Sequence, residues 1–375
     1  MIQPDAFSQS LKQHQIEMFF GVPDSLLANL CAYVDDQLPA SQHRITANEG
    51  NALAMAAGYH LASGKVAAVY LQNSGLGNLV NPLTSLTDAE VYKIPALLII
   101  GWRGEPGVKD EPQHIKQGRI TPALLDLLSI PYFVLDSASD YQLQVQQAVE
   151  YTQRHQSPVA LLVRKGAFAD YHSGRAVIAA SSMKREEALA VVLDNLSGDE
   201  AVVSTTGKTS REVFELRKQR GETQRDFLTV GAMGHTSSIA LGVAMAQPER
   251  AVVCIDGDGS MLMHLGAMAI IGSVAPANLL HLVLNNQSHE SVGGQPTVAG
   301  EINIGALATS LNYKSYLKAS TAAEVAAAMQ QAKQLTGPVL LEVLIAQGSR
   351  DDLGRPDSTA EQNKIAFMRY IDAGL

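Results

Sequence analysis

Two doubly wound α/β domains in tandem, each built on a parallel sheet, are what the sequence predicts. Three observations predict them. The chain has 375 residues, too many for one ordinary core and comfortable for two. Short apolar runs recur along it, each followed by a turn of Gly, Asp, Asn or hydroxyl residues and then a helical pattern, the order expected of βα units. A polar stretch of low periodicity, 169–182, reads as a linker and separates residues 1–168 from residues 183–375.

Hydrophobic residues make up 46% of the chain and charged residues 17%, the balance of a globular enzyme and not of a disordered or fibrous protein. The net charge of -9 argues against a general nucleic-acid binder, which would want a basic face. It also means that an anionic substrate must be met by a local basic patch. Cys31 and Cys254 are far apart in apolar surroundings, so no disulfide framework is expected and a cytoplasmic setting is. The opening MIQPDAFSQSLKQ lacks the charged-then-apolar pattern of a signal, and no apolar run approaches membrane-spanning length. Neither nucleic acid nor membrane is therefore an expected partner.

Residues 5–17 carry a helical pattern. Phe19-Phe20-Gly21-Val22-Pro23 reads as a short strand ending in a turn, with a helix from Leu26 to Leu38 after it. Asp24 or Ser25 can cap that helix, and Asp24 can equally stand as a polar group at the mouth of a strand-end crevice. Glu49 opens the next helix, whose residues Ala52, Ala54, Ala56, Ala57 and Gly58 permit close packing. Alone, an N-terminal glutamate is explained by the helix dipole. Lys65 to Leu71 is a strand, and Gln72-Asn73-Ser74-Gly75-Leu76-Gly77-Asn78 after it is either the wall of a polar pocket or a plain helix entry. Ala96 to Ile100 is a further buried strand. The stretch GWRGEPGVKDEPQHIKQGR beyond it reads as one long loop, broken by glycine and proline, that gathers Arg103, Lys109, His114, Lys116 and Arg119. A loop so long at a strand end is a candidate cover for an anionic substrate. Ser157 to Val163 is expected to be the last strand of the first domain.

In the second half, Ala201 to Lys208 runs from a strand through Thr205-Thr206-Gly207, ahead of a helix from Ser210 to Arg220. Such turns can offer backbone N–H groups to phosphate. Phe227 to Met233 leads through glycine and hydroxyls into a small-residue helix, Ile239 to Ala246, and Met233 by itself reads as a core methionine. The most informative stretch runs from Cys254 to Asn286, CIDGDGSMLMHLGAMAIIGSVAPANLLHLVLNN. A strand from Ala251 to Ile255 enters it, an apolar helical segment crosses over, and a strand from His281 to Leu284 leaves it, which makes a βαβ unit. Its polar tips, Asp258 and Asn286, lie at C-terminal strand ends. A carboxylate and an amide oxygen suit a hard cation such as Mg²⁺. Gly257 and Gly259 let a diphosphate approach the backbone closely. A final strand, Val339 to Ile345, precedes GSRDDLGR, where Arg350 and Arg355 are either a surface ion-pair cluster or a second anion contact.

Gly-Asp-Gly followed about 30 residues on by Asn-Asn closely resembles the motif of the thiamine diphosphate-dependent enzymes, and the resemblance covers nearly the whole chain. It implies a pyrimidine-binding domain, then a diphosphate-binding domain with no middle domain between, and thiamine diphosphate and Mg²⁺ as cofactors. It also implies that Asp258, the Asn286 side chain and the Ser288 carbonyl hold Mg²⁺ against the diphosphate, with Thr205, Gly207, Gly257, Gly259 and Ser260 around the cofactor. Gly231 would offer its carbonyl to the exocyclic amine, and Met233 would be the apolar wedge that keeps the coenzyme bent. Glu49, in Asn48-Glu49-Gly50-Asn51-Ala52, would hydrogen-bond the aminopyrimidine ring. Sites in this family are shared between subunits, so a homodimer or larger homo-oligomer is expected.

Within the family, GVPDSLL, NNQSHESVGGQPT and GSRDDLGRP resemble the phosphonopyruvate decarboxylases, with the sulfopyruvate decarboxylases next. The implied substrate is a small anionic 2-keto acid, 3-phosphonopyruvate giving phosphonoacetaldehyde and CO₂, with sulfopyruvate or another 2-keto acid as the alternative. Arg103, Lys109, Asn73 and Ser74 would then meet the phosphonate end. Asp24 and His114 would act nearer the keto carbon, and Ser25 would be a further substrate contact. A dinucleotide-binding module is disfavoured because no Gly-x-Gly-x-x-Gly follows the first strand. A non-catalytic relative would be expected to lack Glu49, Asp258 or Asn286, and all three are present.

Overall fold

Continuous apolar runs supply the strands. In the first half of the chain these are β1 (Phe19–Gly21), β2 (His43–Ile45), β3 (Ala68–Gln72), β4 (Leu97–Gly101), β5 (Tyr132–Leu135) and β6 (Val159–Val163). They form one sheet in the order β2-β1-β3-β4-β6-β5, with every neighbouring pair parallel. The second half contributes β7 (Ala201–Ser204), β8 (Phe227–Leu228), β9 (Val252–Gly257), β10 (Leu279–Asn285), β11 (Ser315–Ala319) and β12 (Val339–Leu344). Read from one edge, their order is β8-β7-β9-β10-β12-β11, again all parallel. Counted from its own first strand, each sheet therefore runs 2-1-3-4-6-5. The expected fold class is the one observed.

The computed structural model describes residues 1–174 and 181–372. The chain divides into two units, Met1–Ala176 with Val292–Gln295 and Val177–Ser291 with Pro296–Leu375. The expected linker, 169–182, straddles that division, and residues 175–180 lie outside the described residues.

Inner strands are buried on both faces, as parallel sheets covered by helices require. Along β3, Ala68 and Tyr70 point into one hydrophobic cluster while Val69 and Leu71 point into the other. Along β9, Val253 and Ile255 face one cluster and Val252 and Cys254 its opposite. The edge strands β5 and β11 escaped the sequence reading for a physical reason. Most of their residues are only half-buried, so the continuous apolar signature of an inner strand is missing.

The stretch after β4 corrects an expectation. It is not one loop: Pro112 starts a helix that continues to Leu127, so His114, Lys116 and Arg119 are helical. A proline in the first turn forfeits no helical hydrogen bond. Gly118, which looks like a breaker in the sequence, is where this helix lies directly on the loop. A Cβ there would stand 1.8 Å from the Gly104 carbonyl oxygen. Both cysteines are buried and unpaired. No described helix is long and apolar enough to cross a membrane.

Candidate active site

Open parallel sheets bind ligands beyond their C-terminal strand ends, where the strand order reverses. In the first unit that point lies between β1 and β3. Asp24 follows β1 and is fully buried. Its Oδ2 accepts the backbone N–H groups of Leu26 and Leu27 at 3.1 and 3.2 Å, and its Oδ1 accepts Gln72 Nε2 at 2.6 Å from the end of β3. A Cβ on Gly101, at the end of β4, would come within 2.1 Å of Asp24 Oδ2. Burial raises the Asp24 carboxyl above its ordinary range, against the pull of the Gln72 bond. The helix cap expected of Asp24 or Ser25 is not formed: the helix begins at Ala28, with Leu27 ahead of it and no side-chain cap, and Asp24 instead braces the turn that precedes it.

Gln72 in turn ties this point to Glu49. Its Oε1 accepts the Ser74 hydroxyl at 2.7 Å, and the next residue, Gly75, abuts the Glu49 carboxylate. A Cβ on Gly75 would lie 2.1 Å from Glu49 Oε1. Glu49 opens the helix Glu49–Ser63, whose first turn is capped by Asn48 accepting the Asn51 N–H. Its side chain is buried, and its Oε2 accepts Asn78 Nδ2 at 2.6 Å. Oε1 takes no hydrogen bond among the described residues. One carboxylate oxygen is thus anchored and the other is free to meet a ligand.

On the far side of β4 the expected anion contacts are largely engaged with one another. Asn73 is fully buried: its Nδ2 donates to the Arg103 carbonyl at 2.8 Å and to Thr121 Oγ1 at 2.9 Å, and its Oδ1 accepts the Arg103 N–H at 3.1 Å. Asn73 therefore sets the course of the Arg103 backbone and does not face outward. Arg103 grips Asp110 through Nε and Nη2 and donates from Nη1 to Ser25 Oγ at 2.6 Å. Asp110 also accepts the Gly104 and Glu111 N–H groups and His114 Nδ1, the last at 2.9 Å. Burial alone would raise the Asp110 carboxyl, but the Arg103 and His114 bonds outweigh it and hold the group well below the usual range. His114 is thus the partner of a carboxylate on a helix rather than a free loop residue. A cleft of ≈ 350 Å³ opens between Ser25, Arg103, Lys109 and Lys165.

The second unit presents different chemistry at the equivalent place. Across the reversal between β7 and β9, Thr205 Oγ1 donates to Ser260 Oγ at 3.2 Å, and Ser260 Oγ accepts the Gly234 N–H at 3.1 Å. Gly207, with φ 88°, turns the chain into the helix Lys208–Gln219. Asp258, just past β9, is 3% exposed and accepts the Thr297 hydroxyl. Burial pushes its carboxyl up to about 6 despite that bond. Past β10, Asn286 donates through Nδ2 to Glu290 at 3.0 Å and accepts the Ser288 N–H on Oδ1 at 3.0 Å. Glu290 is itself held by Lys208 at 2.9 Å and Arg185 at 3.3 Å. That fixes which face of the Asn286 amide is oxygen. The core reading of Met233 is not supported, since it is 36% exposed. Its methyl group would lie 3.6 Å from a Cβ on Gly259, and the His289 ring 3.4 Å from it. Gly231, two residues before Met233, is half-buried. Burial lowers His289 to about 4. Arg350 forms a surface ion-pair cluster with Glu186, Glu215 and Asp352.

Residues 4–125 match the description "Thiamine pyrophosphate enzyme, N-terminal TPP binding domain", and residues 205–343 match its "C-terminal TPP binding domain". The chain belongs to the thiamine pyrophosphate enzyme family. It is similar to two phosphonopyruvate decarboxylases: that of Streptomyces viridochromogenes, 38% identical over 94% of this chain and 90% of the relative, and that of Streptomyces hygroscopicus, 38% identical over 93% and 89%. It is also 26% identical to the sulfopyruvate decarboxylase of Methanosarcina acetivorans, over 96% of each chain. This thiamine pyrophosphate enzyme has the two cofactor-binding domains of the family in the expected order, with no middle domain between the matched stretches.

Several residues that hydrogen-bond the expected site residues were not singled out in the sequence. Gln72, Asn78, Thr297 and Glu290 act through partners far along the chain or beyond a turn, and amides and hydroxyls in polar loops carry no distinguishing spacing. Lys165 stands two residues past the end of the buried strand β6.

Proposed function

We propose that the protein is a thiamine diphosphate- and Mg²⁺-dependent decarboxylase that converts 3-phosphonopyruvate into phosphonoacetaldehyde and CO₂. The observation that carries this reading is near-full-length identity of 38% to phosphonopyruvate decarboxylases, against 26% to a sulfopyruvate decarboxylase. Thiamine diphosphate, when bound, supplies an electron sink for the carbon that loses CO₂.

The residues fit the two cofactors. Asp258 is a carboxylate buried at a cost that its protein partners do not remove, and a cation beside it offsets that cost. Asn286 Oδ1, oriented by Glu290, and the Ser288 carbonyl complete a set of hard oxygen donors of the kind Mg²⁺ takes. Thr205, Gly207, Gly257, Gly259 and Ser260 line the diphosphate side with hydroxyls and open backbone. Gly231 and Met233 serve the aminopyrimidine end. Glu49 presents its unbonded Oε1 to the aminopyrimidine and holds or yields a proton there. Asp24, its carboxyl raised by burial, and His114 are the groups available to handle protons near the keto carbon. Ser25, Arg103, Lys109 and Ser74 form the polar wall met by the anionic end of the substrate, with Asn73 positioning Arg103. We read the working form as a homodimer or larger homo-oligomer, and the buried unpaired thiols accord with a cytoplasmic setting.

Electrostatics supports selection of a substrate with a second anionic group over pyruvate, which has only its carboxylate. A unit charge pair near 4 Å in a partly screened site is worth on the order of 4 kcal/mol, whereas one methylene in an apolar pocket discriminates by only about 1–3 kcal/mol. The test is direct. Purified protein with thiamine diphosphate and Mg²⁺ is offered phosphonopyruvate, sulfopyruvate and pyruvate in parallel, and aldehyde is measured. Phosphonopyruvate should have the highest kcat/KM. A higher value for sulfopyruvate would transfer the assignment to that substrate, and turnover of none of them would end it.

A further inference from the structure

The charge balance of the first unit's cleft goes further than its shape. Five ionised side chains line it: Arg103, Glu105, Lys109, Asp110 and Lys165. Arg103 is paired with Asp110, and Glu105 with Arg164 at 2.8 Å, a guanidinium that Asp136 shares at 3.6 Å. That leaves Lys109 and Lys165, both exposed and both without a partner among the described residues. The topology sets them side by side. Gly101 at the end of β4 pairs with Val163 at the end of β6, so the loops that carry Lys109 and Lys165 leave the sheet next to each other. Two uncompensated ammonium groups at one mouth repel unless a ligand or solvent ions screen them.

The cleft also connects to the reacting end of the unit. Ser25 on its wall adjoins Asp24, Asp24 bonds Gln72, Gln72 bonds Ser74, and Gly75 touches Glu49. A small substrate reaching from Glu49 towards this wall would place its tail at the two lysines.

We infer that Lys109 and Lys165, with Ser25 Oγ and the Arg103 guanidinium behind them, form a subsite selective for a tetrahedral dianion. It would favour a phosphonate over a sulfonate by charge rather than by shape. The inference rests on the decarboxylase reading above. Lys165 is its new element: two ammonium groups without a partner among the described residues can each meet one charge of a dianion, whereas a monoanion engages only one.

The experiment uses the full chain with thiamine diphosphate and Mg²⁺ and two probes that lack the keto group, 3-phosphonopropionate and 3-sulfopropionate. Titration calorimetry gives the affinity of each. Wild type should prefer the phosphonate, and added salt should narrow the preference. Lys165→Gln and Lys109→Gln should each weaken phosphonate binding by about tenfold, or about 1.4 kcal/mol, and sulfonate binding by less. Lys165→Arg should restore the preference. The ratio of kcat/KM for phosphonopyruvate over sulfopyruvate should fall in parallel. If wild type turns over phosphonopyruvate while the Gln variants keep its preference, the subsite is refuted and the reaction stands. Equal weakening of both probes also refutes it. If wild type turns over neither keto acid, the reaction and the subsite fall together.

Discussion

The two units have one strand order and opposite chemistry at the same place in it. Where the first sheet reverses, a carboxylate and an amide meet, Asp24 with Gln72, and Glu49 stands one turn away. Where the second reverses, two hydroxyls meet, Thr205 with Ser260, beside the open glycines and Asp258. On the proposed reading, the residues on the turns decide which end of the coenzyme each unit meets. The first unit offers buried carboxylates, which on that reading move or hold protons. The second offers hydroxyls, amide oxygens and bare backbone, suited to phosphate and a cation.

That contrast breaks most readily at Glu49. Glu49→Gln should lower kcat by the ~10²–10⁴-fold typical of a general acid–base group while leaving the fold and the second unit's cofactor grip in place. Steady-state decarboxylation beside coenzyme titration separates the two, and near-normal turnover would show that the first unit is not the acidic half.

Asp258 is the counterpart in the second unit, and its effect is on stability. Its carboxyl lies at about 6 in the folded protein against an ordinary 3.8. Between those values the native state holds a proton that the unfolded state has lost. Stability without cofactors should therefore fall as pH rises from about 4 to 6, by on the order of 3 kcal/mol from this group. Melting curves of cofactor-free protein should show Asp258→Asn more stable than wild type above pH 6 and lacking the rise that Mg²⁺ with thiamine diphosphate gives wild type. If the variant tracks wild type at every pH, the buried carboxylate is not waiting for a cation.

Two glycines sharpen the same comparison. Gly75 has no room for a Cβ because Glu49 Oε1 would be 2.1 Å away. Its φ of -77° suits alanine, and the three atoms nearest the added Cβ all belong to Glu49, so Gly75→Ala acts first on Glu49. A carboxylate displaced by about 1 Å should cost about 10²-fold in kcat. In a double-mutant cycle with Glu49→Gln the loss should largely vanish. Gly257 has nothing within 4 Å, so Gly257→Ala should change stability by no more than about 0.5 kcal/mol and act only on coenzyme affinity. A large drop in Tm would show that Gly257 is there for folding.

The second unit was the easier one to read in the sequence. Asp258 and Asn286 sit on one contiguous βαβ motif, so their spacing alone pointed to a divalent cation and a diphosphate. Glu49 was ambiguous without the family resemblance, because a helix start accounts for any glutamate. Asn73 looked like a pocket residue, and only its bonds to Arg103 and Thr121 show it to be internal support. The helix from Pro112 was hidden because proline and glycine are read as breakers. Here one begins the helix and the other lets it lie against a loop. Lys165 went unnoticed because its importance lies in lacking a partner, which no one-dimensional pattern displays.

Gly104 and Gly118 meet main chain to main chain: a Cβ on the first would come within 1.9 Å of the His114 carbonyl oxygen, and one on the second within 1.8 Å of Gly104's. A seam of bare peptide cannot be retuned one side chain at a time. Adaptation to new keto acids is thereby channelled into the residues that overhang it, 105–109, where insertions and swaps leave the seam intact. A library that varies the length and charge of that overhang while keeping both glycines is the economical route to altered substrate range.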